Sequence, residues 1–86
     1  MIHLYNNGDY MYNKVEYYRK MMGITQKELA DLIDCRRETI MRIEQNKNIP
    51  SLTIALKLQD VLKVNINYLF WLSKDDIPTI KNLYRW

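Results

Sequence analysis

The residues with the greatest capacity to bind a charged partner are clustered between Arg36 and Arg42. At helical spacing, Arg37, Glu38 and Arg42 turn outward. Met41 lies between them and can touch an apolar group such as a thymine methyl. A guanidinium can pair with two acceptor atoms of guanine, and a carboxylate can accept a hydrogen bond from cytosine N4. This face is therefore either a DNA-contacting surface or the solvated charged side of an ordinary surface helix.

Residues that support catalysis or metal binding are sparse by comparison. His3 is the only histidine and Cys35 is the only cysteine, and they lie far apart in the sequence. They form neither a nucleophile with a neighbouring base nor a set of metal ligands. We expect Cys35 to pack as a small hydrophobic residue. The sequence therefore predicts a protein that is not an enzyme and needs no metal, cofactor or small-molecule ligand.

Two short helices joined by a tight turn are predicted to position the charged face. Thr25 can cap the first helix, because Glu28 stands at the position that completes a capping box. The turn falls at Asp34-Cys35, and the second helix then turns Ile40 and Ile43 inward. The inward residues of the first helix are Leu29, Ala30 and Ile33. This is helix-turn-helix geometry, in which the second helix is offered to the major groove of DNA.

A further helix is predicted before this pair. Asn13 can cap it, with Glu16 at the capping-box position, and Gly23 can end it. Its inward face consists of Val15, Tyr18, Arg19 and Met22. An unpaired charge on such a face is costly, so Arg19 needs a partner unless its charged end reaches solvent at the rim.

Two more helices are predicted after the charged one. Pro50 prevents the preceding helix from continuing, and Ser51 caps the fourth helix. Asn65 caps a fifth helix, from Ile66 to about Leu72. The expected core residues of these two helices are Leu52, Ala55, Leu56, Leu58, Val61, Leu62, Ile66, Leu69 and Phe70. Large side chains with no obvious place in the core, which therefore suggest an interface, are Tyr68, Trp71 and Leu72.

The two ends of the chain flank this domain, which we place at residues 13–72. Residues 1–12 form an N-terminal arm in which Asn7-Gly8 predicts a hairpin turn, although the arm can also remain unpacked. Residues 73–86 form a C-terminal tail that can start a short helix at Asp76 or add a strand beside the hairpin. Trp86 leads us to expect a docked tail and a dimerisation segment, with docking on its own domain as the alternative.

The composition excludes several classes of protein. The chain has 86 residues and a formal net charge of +3, which suits a single, mildly basic domain. A lone cysteine cannot form an internal disulfide and fits a reducing compartment. No apolar run is long enough to span a bilayer, and the first residues do not form a signal peptide. We therefore expect a cytoplasmic protein that does not bind membranes.

The stretch from Asn13 to Phe70 resembles the DNA-binding domain of the XRE family, which includes the phage repressors and Cro. The matching residues are Arg19, Gly23-Ile24-Thr25-Gln26, Glu28-Leu29-Ala30, Thr39-Ile40, Arg42-Ile43-Glu44, Lys47, Pro50-Ser51-Leu52 and Leu69-Phe70. They agree at fixed spacing without a gap. The resemblance implies an all-α, five-helix, lambda-repressor-like domain. Two positions depart from the family: Asp34 replaces the usual glycine of the turn, and Arg36 replaces the usual Ser or Thr cap.

The same resemblance implies which residues contact DNA. The residues implied to contact bases are Arg37, Glu38 and Arg42, and we add Met41 because it lies between them and can touch a thymine methyl. The candidate base contacts are thus Arg37, Glu38, Met41 and Arg42. The residues implied to contact phosphates are Gln26, Lys27, Asn46 and Lys47. We add Arg36 to the phosphate set, because a cation at the positive end of a helix dipole is unfavourable until an anion binds there.

The resemblance also implies a structural ion pair between Arg19 and Glu44. It further implies a transcriptional regulator, and we expect a repressor that binds double-stranded operator DNA as a homodimer. The expected dimer interface consists of Tyr68, Trp71, Leu72 and Trp86, at the end of the domain where these repressors commonly dimerise. The alternative is an antitoxin-like protein-interaction module built on the same scaffold.

Overall fold

A computed structural model describes residues 11–72 of the chain. The elements are β1 (Tyr12–Asn13), α1 (Val15–Met21), α2 (Gln26–Leu32), α3 (Arg37–Glu44), α4 (Leu52–Leu62), α5 (Ile66–Leu69) and β2 (Phe70–Trp71). The predicted all-α, five-helix class is confirmed, with one short two-stranded ribbon added to it. The predicted hairpin turn, and the predictions for the tail, lie outside the described residues. No helix within residues 11–72 is long and apolar enough to cross a membrane.

One hydrophobic core joins all five helices. The buried residues of this core are Val15, Leu29, Ala30, Ile33, Ile40, Ile43, Leu58, Leu62 and Leu69. The predicted inward faces of α2 and α3 are thereby confirmed. The closest packing between two helices is that of α2 on α3, while α1 packs on α3 and α4. Burial of these faces therefore fixes the orientation of α3 relative to the rest of the domain.

Three predicted core residues are exposed instead. Leu52 is 70% exposed, Leu56 is 43% exposed and Met22 is 46% exposed. The reason on α4 is its rotation: the buried stripe consists of Ala55, Leu58 and Leu62, and a helix turned this way places Leu52 and Leu56 on its outer side. Met22 is the C-cap residue of α1 and still has a helical backbone, but its side chain lies outside the core.

The predicted capping box of α1 is wrong. The helix begins at Val15 and its N-cap position is Lys14, because Asn13 is extended in β1. The Asn13 side chain still accepts a hydrogen bond from the Val15 N–H, at 3.0 Å. Glu16 instead forms an exposed ion pair with Lys20 at 3.0 Å. Strand pairing thus overrides the local capping signal and leaves the Asn13 amide nitrogen free for other partners.

Four helices end on a residue with a left-handed backbone. These residues are Gly23 (φ +72°), Asp34 (φ +58°), Asn46 (φ +61°) and Lys63 (φ +59°). In each case the next N–H returns to a carbonyl in the last turn: Ile24 to Arg19 at 3.3 Å, Cys35 to Ala30 at 2.9 Å, Lys47 to Arg42 at 2.8 Å and Val64 to Gln59 at 3.3 Å. The turn between α2 and α3 therefore forms with Asp34 in place of the glycine usual in the family.

The fifth helix is shorter than predicted. It ends at Leu69, and Phe70–Trp71 becomes an extended strand that pairs antiparallel with Tyr12–Asn13. Aromatic residues suit strands, and the rings of Tyr12 and Trp71 stack with centroids 6.4 Å apart. Asn65 caps the helix as predicted, by accepting from the Asn67 N–H at 2.9 Å. The β1–β2 ribbon thus joins the beginning of the domain to its end.

Candidate nucleic-acid interface

Helix α3 has one buried side and one charged side. Ile40 and Ile43 are at most 1% exposed, whereas Arg37, Glu38 and Arg42 are exposed. The helix is held by its opposite face, so the backbone that carries these charged side chains has a fixed position relative to the domain. A rigid exposed helix of this kind is what insertion into a DNA major groove requires.

An open depression of about 480 Å³ lies along this charged side. Its lining residues are Arg36, Glu38, Thr39, Met41, Arg42 and Asn48. Glu38, Met41 and Arg42 are thus brought together, whereas the exposed Arg37 stands outside the depression. Thr39 follows Arg36 by one helical turn, a spacing that could have revealed it in the sequence. Asn48 reaches the depression because its N–H bonds to the Arg42 carbonyl at 3.3 Å, and no local sequence signal shows this return of the loop.

The beginning of α3 is positively charged and lacks a side-chain cap. Arg36 occupies the N-cap position, and its side chain makes no capping hydrogen bond within the described residues. Arg36 and Arg37 therefore place two cations at the positive end of the helix dipole, an arrangement that favours anion binding. Glu38 in the first turn offsets part of this charge and is favourable to the dipole.

The turn before α3 contains Cys35. Its side chain is half-buried and packs against the core, and burial raises the pKa of the Cys35 thiol. The thiol therefore stays protonated at neutral pH and is a poor nucleophile. This agrees with the expectation that Cys35 packs as a small hydrophobic residue. Among residues 11–72, no group of His, Cys, Asp and Glu side chains is arranged to hold a metal ion.

The inner end of α3 is held by a buried ion pair. Arg19 Nε donates to Glu44 Oε2 at 2.7 Å and Nη2 donates to Oε1 at 3.2 Å, with the two side chains only 9% and 3% exposed. Arg19 Nη1 also donates to the Ile24 carbonyl at 2.9 Å. The hydrogen bond to Glu44 raises the pKa of Arg19 above its usual value. The pair therefore ties α1 to the last residue of α3.

Three of the predicted phosphate contacts are engaged within the protein. Gln26 Nε2 donates to Glu44 Oε1 at 2.9 Å, which adds α2 to the ion-pair cluster. Lys27 pairs with Asp31 at 2.9 Å on the exposed side of α2, where a phosphate can compete with the carboxylate. Arg36 and Lys47 are exposed, and Asn46 accepts a hydrogen bond from the Asn13 amide.

The matches to known proteins follow the boundaries of this fold. A model of helix-turn-helix proteins, HTH_3, matches residues 15–69, from the first residue of α1 to the last residue of α5. The chain belongs to the HTH_3 family. This assignment agrees with the predicted resemblance to the XRE family of repressor and Cro-like proteins.

Several HTH_3-like relatives align over nearly their whole length. An uncharacterized HTH-type transcriptional regulator from Methanocaldococcus jannaschii is 38% identical over 77% of this chain and 100% of that protein. A second, YgzD from Bacillus subtilis, is 32% identical over 77% of this chain and 100% of that protein. A third, from Archaeoglobus fulgidus, is 36% identical over 78% of this chain and 96% of that protein. All three are named as uncharacterized regulators.

A solved structure has the same fold. A proposed DNA-binding protein from Bacteroides fragilis superposes with a TM-score of 0.64 at 28% identity, over 71% of this chain and 98% of that protein. The HTH_3 match and these relatives together support a helix-turn-helix DNA-binding protein rather than an enzyme, as the sequence predicted.

Proposed function

We propose that this HTH_3 protein is a sequence-specific transcriptional regulator, a repressor that binds operator DNA as a dimer through α3. The single observation that carries the proposal is the side of α3 opposite the core. It exposes Arg37, Glu38 and Arg42 beside an uncapped, doubly cationic helix start. A charged face that served only solubility would not need cations where they oppose the helix dipole. A DNA target also fits a cytoplasmic location.

The residue roles are the ones that the family resemblance implies, together with Arg36 and Met41, and the chemistry of the side chains supports them. Base contacts are assigned to Arg37, Glu38, Met41 and Arg42, and phosphate contacts to Gln26, Lys27, Arg36, Asn46 and Lys47. Arginine suits guanine O6 and N7, and the carboxylate of Glu38 suits cytosine N4 and disfavours nearby phosphates. Gln26 and Lys27 lie at the start of α2, and Asn46 and Lys47 follow α3. The phosphate groups thus flank the base-contacting helix and would set its register on the duplex.

The proposal can be tested by measuring affinity for duplex DNA as a function of salt. We expect log K to fall linearly with log salt concentration, with a slope of about −0.9 for each phosphate neutralised on B-DNA. Binding can be followed by the anisotropy of a labelled random-sequence duplex. A chain that does not bind DNA at low salt would contradict the proposal and favour the antitoxin-like alternative.

Replacing Arg36 with serine separates stability from binding. The serine hydroxyl can accept from the N–H of Glu38 or Thr39, so Arg36→Ser is expected to raise the free energy of unfolding by about 1 kcal/mol. The same variant should bind all duplexes more weakly, because a cation facing the phosphates is lost. Arg36→Gln is the matched control: it should lose the same binding without the gain in stability. Unchanged DNA affinity in both variants would exclude Arg36 from the interface.

The proposed dimer uses the end of the domain. One helix-turn-helix contacts only a few base pairs, so operator specificity favours two copies on half-sites about one helical turn apart. Leu72 is 41% exposed and Tyr68 and Trp71 are half-buried. The fourth assigned interface residue, Trp86, lies outside the described residues. Aromatic side chains are enriched at the cores of such interfaces.

Deleting residues 73–86 tests this assembly. We expect the truncated chain to keep its helical circular dichroism but to bind a two-half-site operator much more weakly than the full chain, since paired binding is lost. Sedimentation at micromolar concentration should show the full chain as a dimer. A full-length monomer that also binds DNA as a single copy would refute the dimer.

A further inference from the structure

Asn13 connects the β1–β2 ribbon to the far end of α3. Its backbone pairs with Phe70 in the ribbon, while its side chain extends from the ribbon to the end of α3. Nδ2 donates to the Ile43 carbonyl and to Asn46 Oδ1, both at 2.8 Å, and Oδ1 accepts from the Val15 N–H at 3.0 Å. Both amide hydrogens and the amide oxygen are therefore engaged.

The two donated bonds end at a turn that matters for the proposed DNA contacts. Ile43 lies in the last turn of α3, and Asn46 is the left-handed residue that ends it. Lys47 comes next, and its N–H closes the turn on the Arg42 carbonyl at 2.8 Å. The backbone bonds define the shape of this turn. The Asn13 side chain adds a link between the Asn46 side chain of this turn and β1.

We propose that Asn13 is a positioning residue for DNA binding, which holds the Asn46–Lys47 turn where Lys47 meets a DNA phosphate. This role rests on the function proposed above and names a residue that acts on DNA only through another. No other natural side chain of similar size supplies two donors and one acceptor at these positions. Aspartate offers only acceptors when ionised, and alanine offers nothing.

The ribbon itself does not depend on this side chain. The Lys14 N–H donates to the Leu69 carbonyl at 3.0 Å, and the backbones of Tyr12–Asn13 and Phe70–Trp71 remain paired. Removing the Asn13 amide should therefore release the turn after α3 without opening the ribbon. We therefore expect Lys47 to contribute less to phosphate binding.

The test is a double-mutant cycle on the salt dependence of binding to a random-sequence duplex. Lys47→Ala should make the slope shallower by about 0.9, the value of one phosphate contact on B-DNA. Asn13→Ala should make the slope shallower by much of the same amount. The double variant should have a slope no shallower than that of Lys47→Ala alone. A slope change that disappears without Lys47 cannot come from stability alone.

Two further variants complete the test. Asn65→Ala removes the cap of α5, a single hydrogen bond of 2.9 Å remote from α3 in sequence; it should lower the unfolding midpoint and leave the salt slope unchanged. Asn13→Ser keeps an acceptor for the Val15 N–H and adds no charge, but its shorter side chain cannot make both bonds to Ile43 and Asn46, so it should fold and still show the shallower slope. It replaces Asn13→Ala in the cycle if the alanine variant does not fold.

The possible results separate this role from the proposed function. The positioning role would be overturned, with DNA binding left intact, if the Asn13 variants kept the wild-type slope. It would also be overturned if their change in slope added fully to that of Lys47→Ala. A wild-type slope in Lys47→Ala would overturn the positioning role by removing the contact through which it acts. A wild-type chain with no salt-dependent DNA binding would overturn the proposed function and this role together.

Discussion

Replacing Glu44 with alanine is expected to lower the free energy of unfolding by about 3–5 kcal/mol, because a buried ion pair broken on one side leaves a buried charge unpaired. Glu44 is 3% exposed at its side chain and accepts from Arg19 and from Gln26. Its removal would leave the Arg19 guanidinium with the Ile24 carbonyl and a distant Glu16 carboxylate, 4.0 Å away. The measurement is urea-induced unfolding followed by circular dichroism.

Two comparisons show whether burial causes this effect. Asp31→Ala breaks an exposed pair with Lys27 that does not involve Arg19. The two side chains are 62% and 66% exposed, so this change should cost less than about 1 kcal/mol. Replacing both Arg19 and Glu44 with apolar residues of similar volume should cost much less than Glu44→Ala, since no charge is then left unpaired. An unchanged denaturation midpoint in Glu44→Ala would mean that Arg19 does not depend on this partner.

The second large effect is expected on the choice of DNA sequence. Arg37→Ala and Arg42→Ala should each weaken binding to the preferred operator by roughly 1–3 kcal/mol, because each would remove a proposed hydrogen-bonded contact to a base. Each should also relax the preference at one defined base pair, since the alanine cannot distinguish guanine. The measurement is affinity for the operator and for operators changed at single base pairs.

Lys47→Ala is the control for these two variants. A lysine that contacts a phosphate contributes equally to all sequences, so its loss should weaken binding uniformly and leave the base preferences unchanged. If both arginine variants keep the wild-type preferences, the contacts to bases come from other residues. Thr39 and Asn48 would then be the next candidates, because they line the same depression.

Much of this structure could be predicted because the signals are local. The Thr25–Glu28 capping box forms with hydrogen bonds of 3.0 and 2.8 Å, as its sequence pattern predicts. Assigning Ile40 and Ile43 to the core also fixes which residues of α3 face outward, since a helix has a single period. The outward face of α3 followed from this period, whereas its contacts with DNA stay a prediction.

The wrong predictions concern residues whose conformation or burial is set by segments distant in the sequence. Asn13 has the residue type of a helix cap, but pairing with Phe70 holds it extended, and its amide reaches the end of α3. Phe70 and Trp71 continue an apolar helical pattern, yet they form a strand because β1 offers a partner. Leu56 is a good core residue by type, but the rotation of α4 is set by packing across the whole domain. None of these long-range contacts has a local signature.

The most direct test of the central claim is selection of bound duplexes from a random DNA pool by the full-length protein. The proposed function predicts enrichment of one motif with two symmetry-related half-sites whose centres are about 10 base pairs apart. Base preferences should be strongest where Arg37 and Arg42 would contact guanine. Repeated rounds that enrich no sequence, while the protein remains folded, would contradict sequence-specific regulation by this chain.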